Sequence, residues 1–151
     1  MKIIKVSADI ENALSAQVEI GENYFEIDES GLESGVDTGP SPNDYILSAL
    51  GSCTVITLQM YAKRKNWPLK RAEVQLEEVK AIPGEDKNNE PAPDRRFKIR
   101  KKLKLVGDLT AEQIKRLEDI SSRCPVQRTL EAGIIIQTVL ETVLKPNQVG
   151  K

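Results

Sequence analysis

Apolar residues at the start of the chain fall into short clusters, Ile3-Ile4-Val6 and then Val18, Ile20, Tyr24, Phe25 and Ile27. Polar residues around Glu11 to Ala16 and the breaker Gly21-Glu22-Asn23 separate them. Short clusters between breakers predict a meander of strands. The stretch SGLESGVDTGPSP then supplies Gly31, Gly35, Gly39, Pro40 and Pro42, which predicts a loop. Ser41, Pro42 and Asp44 predict a helix start, with serine as cap, proline in the first turn and an acid three residues on. From Asn43 to about Lys65 the apolar positions Ile46, Leu47, Leu50, Cys53, Val55, Ile56, Leu58, Met60 and Tyr61 cover most of a helical circumference, predicting a core helix buried on more than one side. Lys63-Arg64-Lys65 complement its negative end and Pro68 closes it.

Period-two alternation follows in Ala72, Val74 and Leu76 and again in Phe97, Ile99, Leu103 and Leu105, set among Lys98, Arg100, Lys102 and Lys104. Two half-buried strands pairing as a long hairpin are predicted, with Glu73 and Glu77 opposite the lysine-rich strand and PGEDKNNEPAPD as an exposed loop between them. A second helix is predicted from Thr110, where Thr110 and Gln113 form a capping box and Leu109 staples Ile114; Ile114, Leu117 and Ile120 are its core face. It ends near Arg123. Pro125 restarts a short helix that Gly133 terminates, and Ile134-Ile135-Ile136 through Val143 reads as a final buried strand. Strands segregated from helices predict an α+β class with antiparallel sheets around a central buried helix. The chain divides as one domain over 1–151, with strands and loop at 1–38, core helix at 39–66, hairpin at 70–107, and the last helices and strand at 109–145.

Composition narrows the chemistry. A chain of 151 residues buries roughly two thirds of its unfolded surface and needs no staple. Its 22 basic and 23 acidic residues leave a net charge of −1, and one Trp, three Tyr and two Phe give no stacking platform, so no nucleic-acid partner is expected. Charges at Lys2, Lys5, Asp9 and Glu11 break a signal core, and no apolar run is read as spanning a membrane; a cytoplasmic, membrane-free protein is expected. The absence of histidine rules out Cys-His and Ser-His-Asp catalysis, and two cysteines cannot make a four-ligand zinc site, so neither metal nor cofactor is expected. Cys53 and Cys124 are the candidates for reactivity, because in a reducing compartment thiols stay free or pair reversibly. Cys124 is the expected cap of the helix opened by Pro125, with Arg123 and Arg128 flanking it.

The segments GPSPNDYILSALGSC (Gly39 to Cys53) and SSRCPVQRTLE (Ser121 to Glu131) resemble the two cysteine-bearing signatures of the superfamily of osmotically inducible protein C and the organic hydroperoxide resistance proteins. The resemblance covers most of the chain. It implies a two-lobed fold built as an intertwined homodimer and a peroxidase that reduces organic hydroperoxides, with Cys53 attacking the peroxide and Cys124 resolving the sulfenic acid as a disulfide. An external dithiol reductant is implied as well. The resemblance further implies an arginine from the N-terminal strands and a glutamate near the start of the core helix. Here the first arginine is Arg64, Lys2 and Lys5 are the N-terminal cations, Asp44 stands near the glutamate's place, and Arg128, in the first turns after Cys124, is the cation expected to act on it. A second reading keeps the scaffold and makes it a non-catalytic or sensing protein that binds a small apolar ligand at the dimer interface.

Overall fold

The computed structural model of the chain describes residues 2–11, 13–80, 82, 96–141 and 143–148. Three strands, β1 (Ile4–Ser7), β2 (Ser15–Ile20) and β3 (Asn23–Asp28), form the expected antiparallel meander in the order β1-β2-β3. Gly21 takes φ +60° in the turn that sets Ile20 opposite Asn23, a conformation glycine adopts at little steric cost. Phe25 on β3 stacks on Tyr45 with ring centroids 5.6 Å apart and ties this sheet to the core helix.

The expected loop after β3 contains one helical turn, α1 (Gly31–Ser34), closed where Gly35 N–H bonds the Gly31 carbonyl at 2.7 Å. The core helix, α2 (Pro42–Lys65), starts where its sequence predicts. Ser41 Oγ accepts the Asp44 N–H at 3.3 Å and Asp44 Oδ2 accepts the Ser41 N–H at 2.7 Å, a reciprocal capping box. Asn66 ends it in the left-handed region at φ +55°. Burial departs from expectation. Leu50, Thr54, Leu58 and Tyr61, spaced three and four apart, form the buried stripe, whereas Ile46, Ile56 and Met60 stand 47%, 51% and 67% exposed. Among the described residues, the main packing partners of this helix are β4, α3 and α4. By length and composition α2 also meets the requirement for crossing a membrane, contrary to expectation; here it is the central helix of an α+β domain.

The hairpin pairs β4 (Leu69–Val79) with β5 (Lys98–Gly107), antiparallel. Glu73 lies opposite Lys104 and Glu77 opposite Arg100. Glu77 bonds Lys102 at 3.0 Å and Arg100 at 3.2 Å, and the Lys102 hydrogen bond is the main cause holding its carboxyl below the usual range. The loop expected at 83–94 lies outside the described residues. A Cβ on Gly51 would stand 2.8 Å from Leu76 Cδ1, so α2 lies close on β4 because that position lacks a side chain.

Thr110 and Gln113 box the start of α3 (Ala111–Ser121) as predicted, and Cys124 caps α4 (Pro125–Ala132), which Gly133 ends at φ +83°. Leu58, Tyr61, Leu117 and Ile120 form the core cluster, with Trp67, Leu69, Leu103 and Leu105 against it. Ile114, expected in the core, is 45% exposed and lines a cleft instead.

The final strand is not formed. Residues 134–141 carry no regular structure, and Ile135, Ile136 and Leu140 are 101%, 82% and 79% exposed. The apolar pattern is present, but a strand needs an edge to bond and a face to cover. Among the described residues no strand pairs with this segment.

Candidate functional site

Two helices and one strand converge on Cys124. Pro125 fixes the first turn of α4 and leaves Cys124 extended at φ −63°, ψ 143°, so its Sγ takes the capping position and accepts the Gln127 N–H at 3.3 Å. The side chain is completely buried. The other side of the sulfur meets α2, where Thr54 Oγ1 lies 3.7 Å from it and bonds the Leu50 carbonyl at 2.8 Å. Cys53 precedes Thr54 on the same helix and is half-buried, so the more accessible thiol adjoins the residue that touches the inaccessible one.

Lys101 of β5 completes the cluster. Its Nζ donates to Thr54 Oγ1 at 3.2 Å and to the Ser121 carbonyl at 2.8 Å, an oxygen at the negative C-terminal end of α3. Burial pushes the ammonium below the usual lysine range, opposed in order by the charges of Cys124, Glu131 and Cys53. Lys101 was not among the residues singled out by sequence. The signal was there, because Ile99, Lys101, Leu103 and Leu105 share one phase of the alternation and Lys101 is a lysine on an inward face.

The same face lines a cleft of about 640 Å³ whose walls are Val74, Ile99, Leu103, Leu105, Leu109 and Ile114, with Thr54, Lys101, Glu118, Ser121 and Ser122 as its polar side chains. Gln127 Nε2 donates to Glu131 at 2.7 Å, while Gln127 Oε1 is buried with no hydrogen-bond partner among the described residues. It is an unused acceptor on the residue whose N–H meets the Cys124 sulfur.

The other sequence candidates stand apart from this cluster. Asp44 is exposed, engaged in its capping box, and nine residues before Cys53, which is about 13 Å along a helix axis. Arg128 is exposed on α4 and makes no ion pair among the described residues. Arg123 pairs with Asp119 at 2.8 Å. Lys2 and Lys5 are exposed at the N-terminal sheet. No group of three or more Cys, Asp or Glu side chains suited to a metal occurs among the described residues.

A family model described as OsmC-like protein matches residues 35–139. Among solved structures, the chain is similar to an OsmC-like protein from Mycoplasma pneumoniae, at 16% identity over 87% of each chain with a TM-score of 0.66. A Psychrobacter arcticus protein described as a putative osmotic stress induced and detoxification response protein aligns at 18% identity over 85% of this chain and 87% of that one, TM-score 0.63. The organic hydroperoxide resistance protein of Bacillus subtilis aligns at 19% identity over 85% and 88%, TM-score 0.51. At these identities the likeness is one of fold. No curated protein matches the chain significantly.

Proposed function

The chain belongs to the OsmC-like protein family, and on that premise we propose that it reduces organic hydroperoxides through a Cys53/Cys124 redox pair, in defence against oxidative stress. The observation that carries this reading is the junction at Thr54, which adjoins Cys53 in the chain and meets the Cys124 sulfur in space. The half-buried Cys53 is the thiol a peroxide can reach. Its thiolate attacks the terminal peroxide oxygen, an S–O bond forms, the O–O bond breaks, and the alkoxide leaves as alcohol after taking a proton. The sulfenic acid at Cys53 then condenses with Cys124, forming the S–S bond and releasing water. A cellular dithiol reduces the disulfide by thiol exchange, which suits a reducing, cytoplasmic setting. The six aliphatic side chains of the cleft beside Thr54 suit the organic part of an alkyl or lipid hydroperoxide.

The working form in this proposal is a homodimer. Ile134, Ile135, Ile136, Val139, Leu140 and Val143 are 63% to 101% exposed on a segment with strand-like patterning and no strand partner among the described residues, and α2 exposes Ile56 and Met60. A second chain would give that segment its partner and those residues cover.

A non-catalytic reading is favoured by one observation. The cleft is large enough for a small apolar ligand and six aliphatic side chains line it. The deciding experiment follows cumene hydroperoxide loss with a dithiol reductant in wild type, Cys53→Ser and Cys124→Ser. Wild type should turn over, Cys53→Ser should be inert, and Cys124→Ser should stop after one turnover. Intact peroxide in all three would leave the ligand-binding reading.

A further inference from the structure

We propose that Lys101 is the positioning cation of the thiol pair, acting on Cys124 through the Thr54 hydroxyl in place of any arginine from the N-terminal strands. The inference deepens the peroxidase reading and rests on it for its catalytic meaning.

Period-two alternation places Lys101 on the inward face of β5, and an ammonium half out of water is costly unless something holds it there. Two oxygens do. The Ser121 carbonyl anchors it at 2.8 Å and the Thr54 hydroxyl at 3.2 Å. Thr54 in turn lies 3.7 Å from the Cys124 sulfur and 2.8 Å from the Leu50 carbonyl. A hydroxyl has one proton and two lone pairs, and the proton rotates to suit its surroundings. While Cys124 is a thiol, the Thr54 proton stays on the Leu50 carbonyl and the oxygen accepts from Lys101. When Cys124 carries charge, the same proton can turn to sulfur, with Lys101 still bonded behind it. The ammonium then stands two contacts from the anion, with the Thr54 hydroxyl between them.

Lys101 also outranks the alternative cations on position. Arg128 and Lys5 are exposed, and Arg123 is held by Asp119. The charged and titratable groups around Lys101 are Cys53 from α2, Cys124 and Glu131 from α4, and Glu118 from α3 across the cleft; its β4 neighbour, Leu76, is apolar. The charge of Glu131 also favours the ammonium, independently of the thiols.

The test exploits reciprocity, since a thiolate stabilised by Lys101 must stabilise the Lys101 ammonium equally. In protein labelled at lysine with 13C and 15N, the Lys101 side-chain resonance, assigned by its loss in Lys101→Met, is titrated by NMR. Cys124→Ser should move the Lys101 midpoint down by about half a pH unit, and Cys53→Ser by less. An unmoved midpoint in Cys124→Ser overturns the proposal, even if Lys101→Met fails to fold, because assignment can then come from Lys101→Arg. In the peroxide assay, Lys101→Met should lower the rate constant for the resolving step, closure of the Cys53–Cys124 disulfide, by about tenfold and Lys101→Arg should restore most of it. Equal rates of disulfide closure in wild type and Lys101→Met also overturn it. If the wild-type protein consumes no peroxide, the peroxidase reading fails while the NMR titration still decides the coupling.

Discussion

Replacing Thr54 with valine removes one hydroxyl from the centre of the thiol cluster and keeps the side-chain shape, so its effect can be worked from the contacts. The hydroxyl accepts from the Lys101 ammonium at 3.2 Å, and a hydrogen bond to a charged group contributes about 1.5–3 kcal/mol. Lys101 is only part-buried and water can replace part of that bond, so the low end of the range applies. The added methyl, at a position with no exposure, returns about 0.8 kcal/mol. Thr54→Val should therefore be less stable than wild type by about 1 kcal/mol at pH 7, or about 2–4 °C in Tm. The pH dependence fixes the cause. Burial lowers the folded-state pKa of Lys101 below its unfolded value of 10.5, so between those two values the unfolded chain binds more protons and stability rises with pH. Once Lys101 is neutral the charged hydrogen bond no longer exists, and the deficit of the valine variant should shrink toward zero. Urea unfolding of wild type, Thr54→Val and Thr54→Ser at pH 7 and pH 10 measures this, with serine expected to track wild type. A valine variant as stable as wild type at pH 7, or a deficit that grows with pH, would refute the reasoning.

Three further outcomes follow from particular contacts. Leu58→Ala, at a fully buried position in the core cluster, should lose about 3 kcal/mol in denaturant unfolding. Asp44→Ala breaks the α2 capping box and should cost about 1 kcal/mol while leaving peroxide turnover intact, since Asp44 is exposed and far from Cys53 along the helix. Ile136→Glu or Leu140→Glu should convert a dimer into monomer in light scattering, because both side chains are about four fifths exposed within a single chain.

Much of this architecture is legible from local rules. The capping boxes at Ser41-Asp44 and Thr110-Gln113, the proline at position 125 and the glycine at 133 act within a few residues, so sequence alone places three helices and makes Cys124 a cap. The hairpin register follows from alternation and from Glu77 facing Arg100. Two features were hidden for different physical reasons. Lys101 sits in a run of cations that reads as a solvated face, and only strict phase counting shows it beside Ile99 and Leu103 rather than beside Lys102. Its importance depends on Ser121 and Thr54, which are distant in sequence. The segment from Ile134 to Leu140 shows the reverse error, because an apolar pattern specifies what must be covered without specifying by which chain. Thr54 itself could not be found locally, since a threonine bonded to the carbonyl four residues back is ordinary in a helix until another element brings Cys124 to it.

The central claim, that Cys53 and Cys124 act as one redox pair, is tested most directly by treating the reduced protein with one equivalent of cumene hydroperoxide and mapping its thiols by mass spectrometry after trapping. The account predicts a Cys53–Cys124 disulfide together with stoichiometric cumyl alcohol. Two free thiols beside unreacted hydroperoxide would contradict it.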